Sequence, residues 1–107
     1  MSPDRGDLVW INFNPQAGHE QTGRRAAIVL SPKAFNDTTG FVSICPITHT
    51  FRGWGFEVKL SDGLIFDGVI LTDQIKNLDW RARRIDIVGK APAGIVDECL
   101  DKIHTFL

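Results

Sequence analysis

The sequence predicts a mainly β fold that ends in one α-helix, arranged as a small barrel or a strongly bent sheet. Several short segments alternate apolar and polar residues with a period of two, which is typical of half-buried strands. Gly, Pro, Asn and Asp separate these segments, as expected for turns. The C-terminal segment instead spaces its apolar residues three and four apart, which indicates an amphipathic helix. Many short strands followed by a single helix favour this architecture.

The first two strands follow from alternation and from a continuous apolar run. Residues 7–14 (DLVWINFN) alternate β-branched and aromatic side chains between two faces. Residues 15–23 contain Pro, Gly and polar residues and are predicted as a loop. The run over 25–31 (RAAIVLS) predicts a buried strand, which Pro32 ends because proline cannot join a central ladder.

The middle of the chain predicts further short elements. A helical turn is expected over 33–40, and a third strand over 41–48 (FVSICPIT). Pro46 within this strand predicts a sheet edge or a bulge. More strands are expected over 56–60, 68–71 and 84–89. After Pro92, the helix is predicted from apolar residues on one face: Ile95, Val96, Cys99, Leu100, Ile103 and Phe106 or Leu107.

Composition limits the class of protein. The chain has 107 residues, 43% hydrophobic and 23% charged, and a net charge of −1. One domain over 1–107 is therefore expected, and binding of polyanions by bulk charge is excluded. Cys45 and Cys99 cannot build a disulfide framework and match no zinc signature. No membrane span and no signal peptide are predicted, so a cytoplasmic protein is expected.

The loop over 18–25 (GHEQTGRR) is a candidate anion site. It offers His19, Arg24 and Arg25 against the single acid Glu20. The arginine fork fits a phosphate with two parallel hydrogen bonds. Arg25 also lies at the start of a strand, where a rigid element would hold it. An exposed turn with solvated charges remains the alternative.

Two further stretches could contact a nucleic acid. Thr48 offers a hydroxyl donor at a strand end, and His49 could titrate near neutral pH. Their alternative is ordinary strand composition. Residues 79–90 (DWRARRIDIVGK) place basic residues beside Trp80, a combination that suits single-stranded nucleic acid. The alternative there is a solvated strand edge with the tryptophan in the core.

Motifs for metal, nucleotide and serine chemistry are absent. The sequence contains no H-E-x-x-H, no GxxxxGK[ST], no GxGxxG and no G-x-S-x-G. An enzyme with this sequence would work with side-chain acids, bases and cations, without a metal or another cofactor.

Ordered motifs over nearly the whole chain resemble the MazF/PemK toxins of bacterial toxin–antitoxin pairs. They are GDLVWINFNP (6–15), EQTGRRAAIVLSP (20–32), CPIT (45–48), FEV (56–58), DGV (67–69) and TDQIKNLDWRAR (72–83). The resemblance implies an SH3-like barrel with a C-terminal helix, as in the MazF, PemK and CcdB proteins, and a homodimer. It also implies a metal-independent endoribonuclease that cleaves single-stranded RNA, with mRNA the expected class.

The resemblance also implies site residues. Arg25 and Thr48 match the catalytic Arg and Thr of the family, and Glu20 matches a loop acid implicated in activity. The substrate-binding set is expected to comprise Asn12, Asn14, His19, Arg24, His49, Gln74 and Lys76. The family usually reads Arg-Pro where this chain has Arg25-Ala26, and usually has a small polar residue where this chain has His49.

The implied reaction is attack of the RNA 2′-hydroxyl on the adjacent phosphate, giving a 2′,3′-cyclic phosphate and a 5′-hydroxyl. The implied partner is a small antitoxin of the MazE type, whose acidic tail lies over the RNA groove. Two other functions compete: a gyrase poison of the CcdB type, and a non-catalytic nucleic-acid-binding barrel. The C-terminus, His104 to Leu107, lacks the Trp-Gly-Ile-like ending on which the gyrase poison depends.

Overall fold

The computed structural model describes residues 2–13 and 23–107. Within these ranges the chain forms a sheet, two helices and one 3₁₀ turn. In chain order the elements are β1 (Asp7–Asn12), β2 (Arg24–Val29), α1 (Lys33–Thr39), β3 (Phe41–Thr48), β4 (Glu57–Lys59), β5 (Val69–Leu71), the 3₁₀ turn Thr72–Gln74, β6 (Lys76–Asp79), β7 (Asp86–Lys90) and α2 (Ala93–Ile103). Among the described residues, no helix has the length and apolar character needed to cross a membrane.

All strand pairs in the sheet are antiparallel. The strand order is β4-β5-β3-β2-β1-β7, and β6 pairs with β3 beside this path. The predicted mainly β fold with a C-terminal helix is confirmed. The predicted helical turn is also confirmed as α1, which ends at Gly40 in a left-handed conformation with φ 75°.

Both faces of the sheet are buried. Leu8, Ile28 and Cys45 point into one hydrophobic cluster, which α2 covers with Val96 and Cys99. Their chain neighbours point into a second cluster on the other face: Val9, Ala27 and Ile44, packed against Phe13, Leu78, Trp80, Ile85 and Ile87. Alternation therefore buries both sets of side chains, because the bent sheet is covered on both sides.

The expectation that Pro46 marks a sheet edge is wrong. β3 is a central strand, paired with β2 on one side and with β6 and β5 on the other. Pairing with β6 ends at Ile44, and pairing with β5 begins at Ile47. Pro46 lies between these two points, where β3 changes its neighbour from β6 to β5. Its missing N–H therefore removes no ladder hydrogen bond to β6 or to β5.

β6 was not predicted from the sequence. Its four residues, KNLD, are mostly exposed and polar, and they do not alternate clearly. They become a strand because β3 supplies an edge for pairing, with Val42 opposite Leu78 and Ile44 opposite Lys76. Tertiary context therefore overrides weak local propensity in this segment.

Gly68 permits a close approach between the start of β5 and the end of β3. Its φ is +107°, and a Cβ atom at this position would lie 2.2 Å from the carbonyl oxygen of Thr48. The next residue, Val69, pairs directly with Thr48. A side chain at Gly68 would therefore displace the backbone that carries Thr48.

We expect Gly68→Ala to destabilise the fold by about 2–5 kcal/mol, because overpacking against the Thr48 backbone adds to left-handed strain. Gly63→Ala is the matched control, since Gly63 has φ +88° with open space around its would-be Cβ. Strain alone predicts a loss of about 1–2 kcal/mol for that variant. The check is chemical denaturation of both variants. Equal losses would contradict the role given to the close approach.

Candidate functional site

The strand register brings Arg25 and Thr48 to one end of one sheet face. β2 pairs with β3 through Ala27 opposite Pro46, followed by Ile28 opposite Cys45. The pairing of β2 with β3 ends at Ala27 and Pro46, and Arg25 and Thr48 each lie two residues beyond it along their strands. Residues two apart on a strand share a face, so Arg25 and Thr48 lie on the face of Ala27 and Pro46, at the same end of the sheet. An arginine and a hydroxyl in this arrangement can serve the same ligand.

Thr48 is held so that its hydroxyl hydrogen remains available. Its Oγ1 accepts a hydrogen bond from the backbone N–H of Thr50 at 3.2 Å. Because the oxygen acts as acceptor there, its own O–H can donate to an external oxygen. Pairing with Val69 holds the Thr48 backbone on the side away from β2.

Arg25 is exposed and stacks on an aromatic ring. Its Cζ lies 5.4 Å from the ring centroid of Phe13. Arg25 in β2 pairs with Ile11 in β1, and Ile11 points to the same face as Phe13. Among residues 2–13 and 23–107, no carboxylate forms an ion pair with Arg25. The stacked ring orients the guanidinium without neutralising its charge, which suits the binding of an anion.

Three of the predicted site residues lie outside the described residues. They are Asn14, His19 and Glu20, all in the segment between β1 and β2. Their roles stay predictions.

Asn12, Gln74 and Lys76 lie on three different elements. Asn12 is buried at the end of β1, where its backbone N–H donates to the carbonyl of Arg83 at 3.0 Å. Lys76 is exposed at the start of β6 and pairs with Ile44, so its side chain shares the face of Arg25 and Thr48. Gln74 is exposed in the 3₁₀ turn just before β6.

Arg24 and His49 each have an acidic partner in the structure. The Arg24 guanidinium forms an ion pair with Asp86 in β7 and donates to the carbonyl of Arg84 at 3.3 Å. The His49 Nδ1 lies 2.9 Å from Asp67 Oδ1. Arg24 therefore joins β2 to the last strand, whereas His49 joins the end of β3 to the segment before β5.

Of the two interpretations of residues 79–90, the one that places Trp80 in the core is confirmed. The Trp80 ring packs against the second hydrophobic cluster, and its Nε1 donates to the Asn36 carbonyl at 2.9 Å. Arg81 covers the ring at 5.1 Å and donates to the Asp37 carbonyl. Arg83 donates to the Phe13 carbonyl at 2.8 Å. These groups satisfy backbone acceptors, so their role here is structural.

Glu57 organises the connection between β3 and β4, and its role was not predicted. Its buried carboxylate accepts from the backbone N–H of Arg52 at 3.3 Å and of Trp54 at 3.2 Å. Charge-assisted bonds of this kind are stronger than neutral ones. They hold an exposed loop that displays Phe51 and Trp54 beyond the end of β3. The sequence held no signal for this role, because Glu57 and Lys59 alternate with Phe56, Val58 and Leu60 as the exposed residues of a strand would.

The two cysteines belong to the core. Both are free thiols and buried. Burial raises the pKa of Cys99 to about 12 and raises the pKa of Cys45 still further above its usual range. Neither thiol is therefore ionised at neutral pH. Among the described residues, no group of three or more His, Cys, Asp or Glu side chains is placed to hold a metal ion.

Comparison with known proteins relates this fold to toxins. A family model described as "PemK-like, MazF-like toxin of type II toxin-antitoxin system" matches residues 4–107. The endoribonuclease toxin MazF of Escherichia coli K12 is 51% identical over 81 residues, covering 76% of this chain and 72% of the relative. The endoribonuclease PemK of Escherichia coli is 33% identical over 108 residues, covering 97% and 81%.

Solved structures agree with the sequence comparison. MazF from Deinococcus radiodurans is 48% identical with a TM-score of 0.88, covering 98% of this chain and 96% of that one. The MazE–MazF complex of the same organism matches at 42% identity and a TM-score of 0.87, covering 98% and 94%. The fold, the family model and these identities agree, and the chain belongs to the PemK/MazF family of toxins of type II toxin–antitoxin systems.

Proposed function

We propose that this protein is a sequence-specific, metal-independent endoribonuclease toxin that cleaves single-stranded RNA in the cytoplasm. The carrying observation is that Arg25 and Thr48 lie on one sheet face at the same end of β2 and β3, two neighbouring central strands. Membership of a family whose relatives are named endoribonucleases supports the same conclusion. We also propose that residues 1–107 act as one toxin domain.

The proposed reaction uses a nucleophile that RNA itself carries. The 2′-oxygen forms a new bond to phosphorus while the bond from phosphorus to the 5′-oxygen breaks. One proton leaves the 2′-hydroxyl, and one proton is delivered to the departing 5′-oxygen. The products are a 2′,3′-cyclic phosphate and a 5′-hydroxyl. Negative charge accumulates on the phosphoryl oxygens in the transition state, so catalysis requires donors aimed at them.

Arg25 and Thr48 fit the role of those donors. The guanidinium offers a planar fork and a permanent charge, and the hydroxyl offers one more hydrogen bond. Arginine is a poor base because its pKa is above about 12. Glu20 is therefore proposed as the general base, with His19 and His49 as the next candidates.

Partners follow from the relatives. Solved complexes of Deinococcus radiodurans contain MazE with MazF, and a mycobacterial endoribonuclease is solved with its cognate antitoxin. We propose a cognate antitoxin for this chain, with an acidic segment that competes with RNA for the cations around Arg25. We also propose that the toxin is a homodimer.

The first test is cleavage of a long single-stranded RNA in the presence of EDTA, followed by sequencing of the new 5′ ends. Wild-type protein should cut at a short motif. Arg25→Ala should lower the rate by at least about 10²–10³-fold, the usual effect of losing a preorganised donor. Thr48→Val, which keeps the shape and removes the hydroxyl, should lower the rate by about 10²-fold.

Lys33→Ala is the matched control for charge, since Lys33 is exposed at the start of α1, in the connection between β2 and β3. Its rate should stay close to that of wild type, and all variants should show the same circular dichroism spectrum. A folded Arg25→Ala variant with normal activity would refute the assignment. A folded wild type that cuts no RNA would favour a gyrase poison or a binding module.

The second test uses a substrate with a single deoxyribose. Removing the 2′-hydroxyl at the cleaved nucleotide should abolish cutting there, because the nucleophile is gone. A deoxyribose one nucleotide away should be tolerated to a much greater degree. Gel electrophoresis of end-labelled oligonucleotides distinguishes the two substrates. Cutting at the deoxyribose position would rule out attack by the 2′-oxygen.

A further inference from the structure

Arg83 holds the end of β1 with its backbone and its side chain together. Its carbonyl accepts a hydrogen bond from the backbone N–H of Asn12 at 3.0 Å. Its Nη1 donates to the carbonyl of Phe13 at 2.8 Å and to the carbonyl of Asn12 at 3.3 Å. Bonds from one residue therefore fix the backbone of the last residue of β1 and of the residue that follows it.

Phe13 is also held from the side of β2. Its backbone N–H donates to the carbonyl of Gly23 at 2.7 Å, one residue before β2 begins. Both polar backbone groups of Phe13 are thus engaged, the N–H by Gly23 and the carbonyl by Arg83. Its ring packs against the second hydrophobic cluster. A fixed backbone restricts the rotamers that a side chain can adopt, so the position of the ring depends on these bonds.

The Phe13 ring in turn sets the direction of the Arg25 guanidinium. The Cζ of Arg25 lies 5.4 Å from the ring centroid, and both side chains point to one sheet face. Arg25 is exposed, so the ring replaces the close packing that fixes a buried side chain. Attraction between a guanidinium and the face of an aromatic ring favours one placement of the guanidinium donors. A ring that moves therefore carries these donors with it.

We propose that Arg83 is a positioning residue for RNA cleavage, acting through the Phe13 ring on the Arg25 guanidinium. The proposal rests on the proposed function, because it takes Arg25 to stabilise the charge on the phosphate. Arg83 contacts neither RNA nor phosphate in this role. Its bonds to the end of β1 contribute to the rate, since a misplacement of about 1 Å can cost about 10²-fold. Loss of Arg83 should lower kcat more than it raises KM, because charge develops on the phosphate in the transition state.

Arg81 provides a matched comparison in the same connection between β6 and β7. Its guanidinium also donates to a distant backbone carbonyl, that of Asp37 in α1, at 2.9 Å. It covers the Trp80 ring at 5.1 Å, much as Arg25 covers the ring of Phe13. Arg81→Met therefore removes the same charge and the same kind of hydrogen bond, but at α1 instead of at the end of β1.

Steady-state cleavage of a short single-stranded RNA tests the proposal. Arg83→Met, which keeps an unbranched side-chain stem, should lower kcat by about 10–10²-fold. Phe13→Leu should lower kcat by a similar factor, and the double variant should lose little more than either single variant, since both changes break the same contacts. Arg81→Met should cleave at the rate of wild type. Losses that multiply in the double variant, or an equal loss in Arg81→Met, would overturn the proposal.

Binding at several salt concentrations tests for a direct contact between Arg83 and the nucleic acid. A deoxyribose strand cannot undergo attack by a 2′-oxygen, so fluorescence anisotropy with such a strand reports binding alone. Each phosphate contact contributes about 0.7 to the slope of log K against log salt for a single strand. Arg83→Met should keep the wild-type slope. A slope smaller by about 0.7 would assign Arg83 to a phosphate and overturn the positioning role.

Nuclear magnetic resonance of the Arg25 side chain gives a readout that does not require cleavage. Protons above the face of an aromatic ring resonate upfield, and Phe13→Leu defines the Arg25 signals without the ring. Arg83→Met should move these signals toward their positions in Phe13→Leu, whereas Arg81→Met should leave them unchanged. If Arg83→Met does not fold, Arg83→Lys takes its place in this measurement, because the lysine ammonium group ends one bond short of Nη1.

Failure of the positioning role and failure of the nuclease give different results. Arg25 signals that stay unchanged in a folded Arg83 variant would refute the positioning role, even if wild-type protein cleaves RNA. Wild-type protein that cuts no RNA would refute the nuclease, while a shift of the Arg25 signals in Arg83→Met would still support the hold of Arg83 on the ring.

Discussion

The antiparallel register between β2 and β3 is the constraint on which the rest of the site depends. A shift of one residue would turn Arg25 and Thr48 to opposite faces, because side chains alternate along a strand. Close packing opposes this shift. Ile28 and Cys45 lie in one apolar cluster and Ala27 and Ile44 in the other, so a slip would exchange side chains of different size between two well-packed clusters. The hydrophobic core thus determines the geometry of two polar groups at its margin.

The polar groups at the sheet end depend on close packing behind them. Thr48 is backed by the start of β5, which can approach only because residue 68 is glycine. Arg25 is backed by the ring of Phe13, whose carbonyl is in turn held by Arg83. A preorganised site requires such a supporting layer, because a donor that moves freely loses its effect on the transition state.

Much of this arrangement could be predicted from the sequence, and the missing parts have physical reasons. Alternation located β1, and the helical period located α2. Pro46 wrongly predicted a sheet edge, because a central strand tolerates a proline at the point where its neighbouring strand changes, here from β6 to β5. The segment KNLD, which forms β6, gave no strand signal, since pairing with β3 makes it a strand.

The core position of Trp80 was among the alternatives that the sequence left open, but its partners were not predictable. They are backbone carbonyls distant in sequence, such as that of Asn36, which no local pattern reveals. The candidate site shows the same limit. The side-chain types of Arg25 and Thr48 indicated anion chemistry, but their placement at one end of one sheet face depends on the strand register. The Asp67–His49 pair also joins separate segments, and only the fold brings them together.

The two hydrogen bonds from Arg83 to the end of β1 have a consequence for synthesis. The donor and the acceptor are separated by 71 positions in one bond and by 70 positions in the other. In addition, β1 pairs with β7 on the side away from β2. The end of β1 is therefore held only after Arg83 and β7 have also been synthesised. Contacts this distant in sequence form late in folding. A nascent chain that stops short of Arg83 thus lacks the support behind Arg25.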